Sequence, residues 1–221
     1  MFTRNAAFKD TFREILKGLS RFFSIFAIVA IGVGFFVGVK ATSPDMKRTA
    51  DVYYKESNLM DIRLISPLGF DEEDVKAVLY TEGVESVMPS YSADAVMTEN
   101  ESNLVVKVHA IPEGYASSDP MNVPALTQGR MPAKTGECVI EENNVYNGFS
   151  FRIGDKIRLI PASEDDELSK RLHVESFTIV GFVNSPEYIS MERGVSSIGS
   201  GTVRCYIMIP PEDFSYSVYT E

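Results

Sequence analysis

Phe22–Val39, FFSIFAIVAIGVGFFVGV, carries no charged residue and a single hydroxyl, Ser24. A helix rises about 1.5 Å per residue, so crossing the roughly 30 Å hydrocarbon core of a bilayer takes about 20 apolar residues. This run is just long enough when Arg21 and Lys40 at its ends reach toward the headgroups. A soluble core helix is seldom apolar on every face, and the apolar run of a cleaved signal peptide is shorter, about 7–15 residues. The expectation is an uncleaved transmembrane helix, with the rest of the chain on one side of it or the other. Within the run, Gly32, Gly34 and Gly38 stand out, because Gly34 and Gly38 form a GxxxG pattern that lets a second helix approach closely. Glycine is also common in membrane helices without that role.

Working outward, charge divides the chain. Before Phe22, five Lys and Arg oppose two Asp and Glu; after it, 16 oppose 29. The net charge of -10 thus conceals a basic leader and an acidic remainder. Positive charge stays inside, so the N-terminus is expected in the cytoplasm and residues from about 40 onward outside. An acidic domain without basic clusters argues against a nucleic-acid partner. In the leader, Phe8, Phe12, Ile15, Leu16 and Leu19 fall on one helical face, and Arg13, Lys17 and Arg21 line another. Such a helix fits the cytoplasmic leaflet, its three cations toward anionic headgroups, and would equally suit a cytoplasmic partner.

Beyond the span, Thr42-Ser43-Pro44-Asp45 reads as a helix start, with Ser43 as N-cap and Pro44 first in a short helix to about Ser57. From Leu59 to Ser66, Met60, Ile62 and Leu64 alternate with Asp61 and Arg63, the pattern of a half-buried strand. Asp71 and Asp74 form a capping box for an acidic helix ended by Gly83, with Val75, Val78 and Leu79 expected to face inward. Further strands are expected within Val84–Thr98, at Leu104–Ala110, Glu137–Glu141, Lys156–Ile160, Ser176–Val183 and Val203–Ile209. The charged Ser163–Lys170 reads as a solvated tip and Gly194–Gly201 as a flexible loop. Cys138 and Cys205 lie in strand-like runs and read first as two small core residues, with a single bridge as the other possibility.

No catalytic constellation emerges. His109 and His173 have no neighbouring nucleophile pattern, and His109, beside Lys107, reads as a surface residue. There is no HExxH, CxxC or P-loop, and the carboxylates at Asp71–Asp74 are explained by capping.

Taken together, Arg21–Met46 (RFFSIFAIVAIGVGFFVGVKATSPDM), Tyr53–Ser66, Leu126–Glu142, Phe151–Leu159 and Phe177–Ser190 (FTIVGFVNSPEYIS) resemble the N-terminal part of an FtsX-like, MacB-like ABC transporter permease of the long Firmicutes type. The resemblance implies an α+β chain. Residues 1–21 would be a cytoplasmic amphipathic helix, 22–39 the membrane helix, 40–58 a linker helix, and 59–221 an extracytoplasmic mixed α/β domain of the MacB periplasmic-core type, incomplete at its C-terminus. It also implies a non-enzyme without cofactor, located in the cell membrane. Its implied partners are a separate ABC ATP-binding subunit, the remaining permease helices or a second permease, and the lipid bilayer. The implied role is to couple ATP hydrolysis in that subunit to export, extraction or signalling outside. The alternative is a single-pass anchored binding or sensor module.

Overall fold

The computed structural model describes residues 3–99, 102–112, 120–142, 150–161, 170–190, 192–198 and 201–221. Two units are distinct, Met1–Val52 and Tyr53–Glu221.

The first unit is helical. Helix α1 (Thr3–Lys17) is separated from α2 (Leu19–Glu56) by Gly18 alone. No residue of α2 is buried, and among the described residues it is the one helix long and apolar enough to cross a membrane. The helix does not restart at Ser43. Pro44 lies inside α2, where it removes one backbone donor without ending the run, and the Thr42 hydroxyl donates to the Gly38 carbonyl at 2.8 Å just before it. The last turn of α2 belongs to the second unit.

The second unit is built on a sheet that closes on itself. Its strands are β1 (Ser92–Glu99), β2 (Ser102–Ala110), β3 (Ala125–Gly129), β4 (Glu137–Glu141), β5 (Lys156–Ile160), β6 (Ser176–Asn184) and β7 (Cys205–Ile209). From β1 the hydrogen-bonded order is β2, β7, β4, β6, β5 and back to β1, with β3 added along the far half of β6. β2 with β7 and β4 with β6 are parallel; the other pairs are antiparallel. Period-two alternation fills the interior. Ala93, Ala95 and Met97 of β1 point in together with Val106 and Val108 of β2, Cys205, Ile207 and Ile209 of β7, and Cys138 and Ile140 of β4. Phe177 and Ile179 of β6 and Ile157 and Leu159 of β5 complete the ring of contributors, and Phe151, Leu172 and Phe214 join the same core. Both cysteines are buried and unbridged, as small core residues.

An irregularity in β6 explains one departure from alternation. Cys138 pairs with Ile179 but Val139 with Gly181, so Val180 is an extra residue and Phe182 turns into the core. Gly181 is thereby pressed against β3: a Cβ there would lie 2.6 Å from the Arg130 carbonyl oxygen and 2.8 Å from that of Gln128.

Two expectations fail here. Leu59–Ser66 is not a strand, and its apolar side chains do not face the core: Ile62 is 78% exposed and Ile65 72%. Helix α3 (Glu72–Leu79) has its capping box, with Asp71 accepting from the Glu73 and Asp74 amides, but buries no residue. Val75 and Val78 are half-buried and Leu79 is exposed, so α3 adds no second layer. Strand β1 starts only at Ser92, late in the Val84–Thr98 run. Ser163–Ser169 lies outside the described residues.

Gly181→Ala is expected to lower stability by about 1–3 kcal/mol, because the new methyl must displace backbone rather than a flexible side chain. Thermal and denaturant unfolding of the full chain check this; an unchanged midpoint would mean that β3 and β6 do not approach this closely.

Candidate functional site: the segment that follows the apolar helix

The chain leaves α2 through a left-handed residue. Asn58 has φ +46°, its amide donates to the Lys55 carbonyl at 3.3 Å, and the Leu59 amide reaches back to Tyr54 at 3.1 Å. This is a Schellman-type ending, which asparagine tolerates better than most non-glycine residues because its polar side chain bonds locally. The exposed carbonyls then find partners at the entrance to β3. Ser57 and Asn58 accept from the Val123 and Asn122 amides at 2.9 and 3.0 Å. In return Asn122, 2% exposed and itself left-handed at φ +52°, accepts the Met60 amide on Oδ1 at 2.9 Å. The Asn58 side-chain amide donates to the Pro120 carbonyl at 3.3 Å. Two asparagines in opposing turns therefore lock residues 57–60 to 120–123.

A second attachment is ionic. Arg63, flanked by exposed apolar residues, points inward and grips Glu221 through Nε at 2.6 Å and through a terminal nitrogen. Its other nitrogen meets Glu187 at 3.2 Å. Glu221 also faces His109 Nδ1 at 3.4 Å, and His109 Nε2 lies 2.6 Å from the Tyr188 hydroxyl. Tyr188 stacks on Tyr206 at 4.4 Å between ring centroids, and Arg193, paired with Glu141, lies over the Tyr188 ring at 5.8 Å. Six separate stretches of chain thus converge: the post-helix segment, β2, β4, the loop after β6, β7 and the C-terminal segment.

The electrostatics follow from burial and pairing. Burial presses the Glu221 carboxyl upward, but the hydrogen bond and charge of His109, then Arg63, outweigh it and bring it down to about 2. Burial, with Glu187 adding to it, pushes the Tyr188 phenol up, and burial does the same for Tyr206, so both keep their protons. Ser185 N–H donates to the Tyr206 oxygen at 2.8 Å, fixing that ring. The arrangement holds segments together; it does not present a reactive group, since His109 is 3% exposed. This corrects its reading as a surface residue. Adjacent on the same face of β2, Lys107 pairs with Asp94 at 2.8 Å.

The glycines and cations singled out from sequence lie in the first unit. A side chain at Gly32, Gly34 or Gly38 would meet nothing within 4 Å, so these glycines relieve no crowding within the chain itself. Arg13, Lys17 and Arg21 are exposed. Sequence reasoning missed Arg63, Asn122, Tyr188 and Glu221. The only local hint was a cation set into an alternating apolar run. Among the described residues no group of three or more His, Cys, Asp or Glu could hold a metal ion. A cleft of about 350 Å³ lies against the start of α3, lined by Phe70, Asp71, Tyr91 and Tyr219 among others.

Glu221 contributes a pH dependence of definite sign. Its carboxyl is held below its ordinary 4.5, so its contribution is complete above that pH and is lost as pH falls toward about 2. Unfolding measured across this window should show a slope that Glu221→Gln flattens; identical slopes in parent and variant would contradict the Arg63–Glu221–His109 contacts.

The model of the MacB-like periplasmic core domain matches residues 22–221. Among solved structures, the extracellular domain of the noncanonic ABC-type transporter YknZ from Gram-positive bacteria is similar at 14% identity and a TM-score of 0.38, over 68% of this chain and 72% of that one. The periplasmic region of MacB from Actinobacillus actinomycetemcomitans is similar at 12% identity and a TM-score of 0.37, over 68% of this chain and 58% of that one. No curated protein matches the chain in sequence. With the family model spanning the apolar helix and the whole closed-sheet unit, the chain belongs to the FtsX/MacB-like family of ABC transporter permeases, as a bearer of the MacB-like periplasmic core domain.

Proposed function

We propose that this chain is the part of an ABC permease that carries movement of the membrane helices into the extracytoplasmic domain, where it serves export, extraction or signalling. The observation that carries this reading is the double attachment of the post-helix segment. Residues 57–60 are hydrogen-bonded to 120–123, and Arg63 is bound to Glu221 and Glu187. A segment so fixed passes on displacement instead of absorbing it as a loose linker would. Energy would come from a separate ATP-binding subunit in the cytoplasm, the kind of partner with which the family works.

The N-terminus lies on the cytoplasmic side in this reading, where Arg13, Lys17 and Arg21 meet anionic headgroups at the bilayer surface. Gly34 and Gly38 offer a small-residue strip to the remaining permease helices or to a second permease, which fits the empty space around both.

Two outcomes are expected. Tagged full chain extracted from its native membrane in mild detergent should bring down an ABC ATP-binding subunit, identified by mass spectrometry; recovery of the chain with no such subunit would favour an anchored binding module. Replacing Gly34 and Gly38 by Leu should reduce co-purification with other permease helices several-fold while leaving membrane insertion intact, and undiminished recovery would remove that role from the glycines.

A further inference from the structure

Asp213 closes a single 3-10 turn, Pro211–Asp213, directly after β7, and is 0% exposed. Its Oδ2 accepts from the Gly136 amide at 3.1 Å, while Oδ1 has no hydrogen-bond partner among the described residues. The groups that face it are the Thr135 hydroxyl and Cys138 thiol in and before β4, exposed His173 before β6, and Glu212 beside it. Burial pushes the thiol up, so Cys138 stays neutral, and Glu212 is a like charge. No Lys or Arg among the described residues forms an ion pair with Asp213, and His173 offers positive charge only when protonated. An ionised carboxylate here would sit out of water with one oxygen bare, whereas the neutral acid is far less costly to bury. Burial accordingly raises this carboxyl above its ordinary 3.8.

The same turn begins the C-terminal segment. The Asp213 carbonyl accepts the His173 amide at 2.8 Å, Phe214 bridges Leu172 and enters the core, and Tyr219 bridges Phe70. Glu221 then holds Arg63 and His109. We propose that Asp213 is buried as the neutral acid and that its ionisation frees the C-terminal segment, so that the second unit loosens as the surrounding pH rises. The proton passes to solvent, and the new charge reaches water only when the Pro211–Asp213 turn lifts away from Gly136. The sign is opposite to that of Glu221. A carboxyl raised on folding contributes stability that is complete below its ordinary 3.8 and is lost as pH rises through its folded value. The Glu221 contribution is already complete above 4.5, so it adds no slope in that range. Because Arg63 is tied to Glu221, freeing this segment also slackens the attachment of the post-helix stretch. The inference goes beyond the permease reading and does not depend on it, since the response belongs to the second unit itself.

The test compares the full chain with Asp213→Asn, whose amide has the shape of the neutral acid and cannot ionise. Thermal unfolding of both is followed from about pH 5 to about pH 8. The midpoint of the variant relative to the parent should rise by about 2–4 °C across this range. Reading the change in the gap, and not the gap itself, removes any fixed cost of the substitution and the titration of groups common to both chains. Should the Asn variant not fold, Asp213→Ser keeps an acceptor near the Gly136 amide and is read in the same way. Hydrogen exchange, corrected for the pH dependence of the chemistry, then locates the change. The amides of Phe214, Ser215 and Thr220 should lose protection with rising pH in the parent and keep it in the variant. Midpoints that run parallel with pH overturn the proposal, since Asp213 then takes up no proton on folding. A growing gap with these amides equally protected overturns it too, because ionisation then leaves the C-terminal segment in place.

Discussion

Closure of the sheet through β6 is the constraint on which the second unit rests. One strand serves three neighbours: β4 along one side, and β5 then β3 along the other. A strand in that position is short of room, and the sequence supplies it with Gly181 where β3 crosses close by. The extra residue Val180 lets Phe182 resume the inward phase, so that the core inside the ring remains continuous past the bulge. Without that shift a glycine would face the core and a phenylalanine would face β3.

Around this ring the polar outer surface is organised as carefully as the interior. Burying charge is costly unless each group is paired, and here the pairs are shared among distant segments. Glu221 is held by Arg63 and His109, Glu141 by Arg193, and Asp94 by Lys107 and the Ser196 hydroxyl. The stacked Tyr188 and Tyr206 lie between the first two pairs. The stretch leaving the apolar helix is therefore anchored by the same network that closes the C-terminal segment onto the sheet. In the proposed role, that shared anchorage is what turns movement of the helix into movement of the domain.

What was legible in the sequence was what local chemistry decides. The apolar span shows itself by composition, the α3 start by Asp71 and Asp74, and β2, β4, β5, β6 and β7 by alternation or short apolar runs. The misreadings were settled by contacts far along the chain. In Leu59–Ser66 the alternation was visible, but the residue that turns inward is Arg63, drawn to Glu221 158 positions away, while Ile62 and Ile65 stay exposed. His109 carries a polar side chain next to a lysine, and only the arrival of Tyr188 and Glu221 buries it. Ser43-Pro44 has the composition of a helix start, yet the residues on both sides already favour a helix, and one missing donor did not interrupt it. Asn122 had no sequence signal, because its role depends on a turn opposite it in space.

The most direct measurement is hydrogen exchange, read by mass spectrometry, on the full chain in lipid nanodiscs. The amides of Leu59, Met60, Asn122 and Val123 should exchange slowly and together with β6 and β7, as parts of one cooperative unit. Fast exchange of 57–60 and 120–123 while the sheet stays protected would show that the post-helix segment is a loose tether, and would contradict the transmission of movement through it.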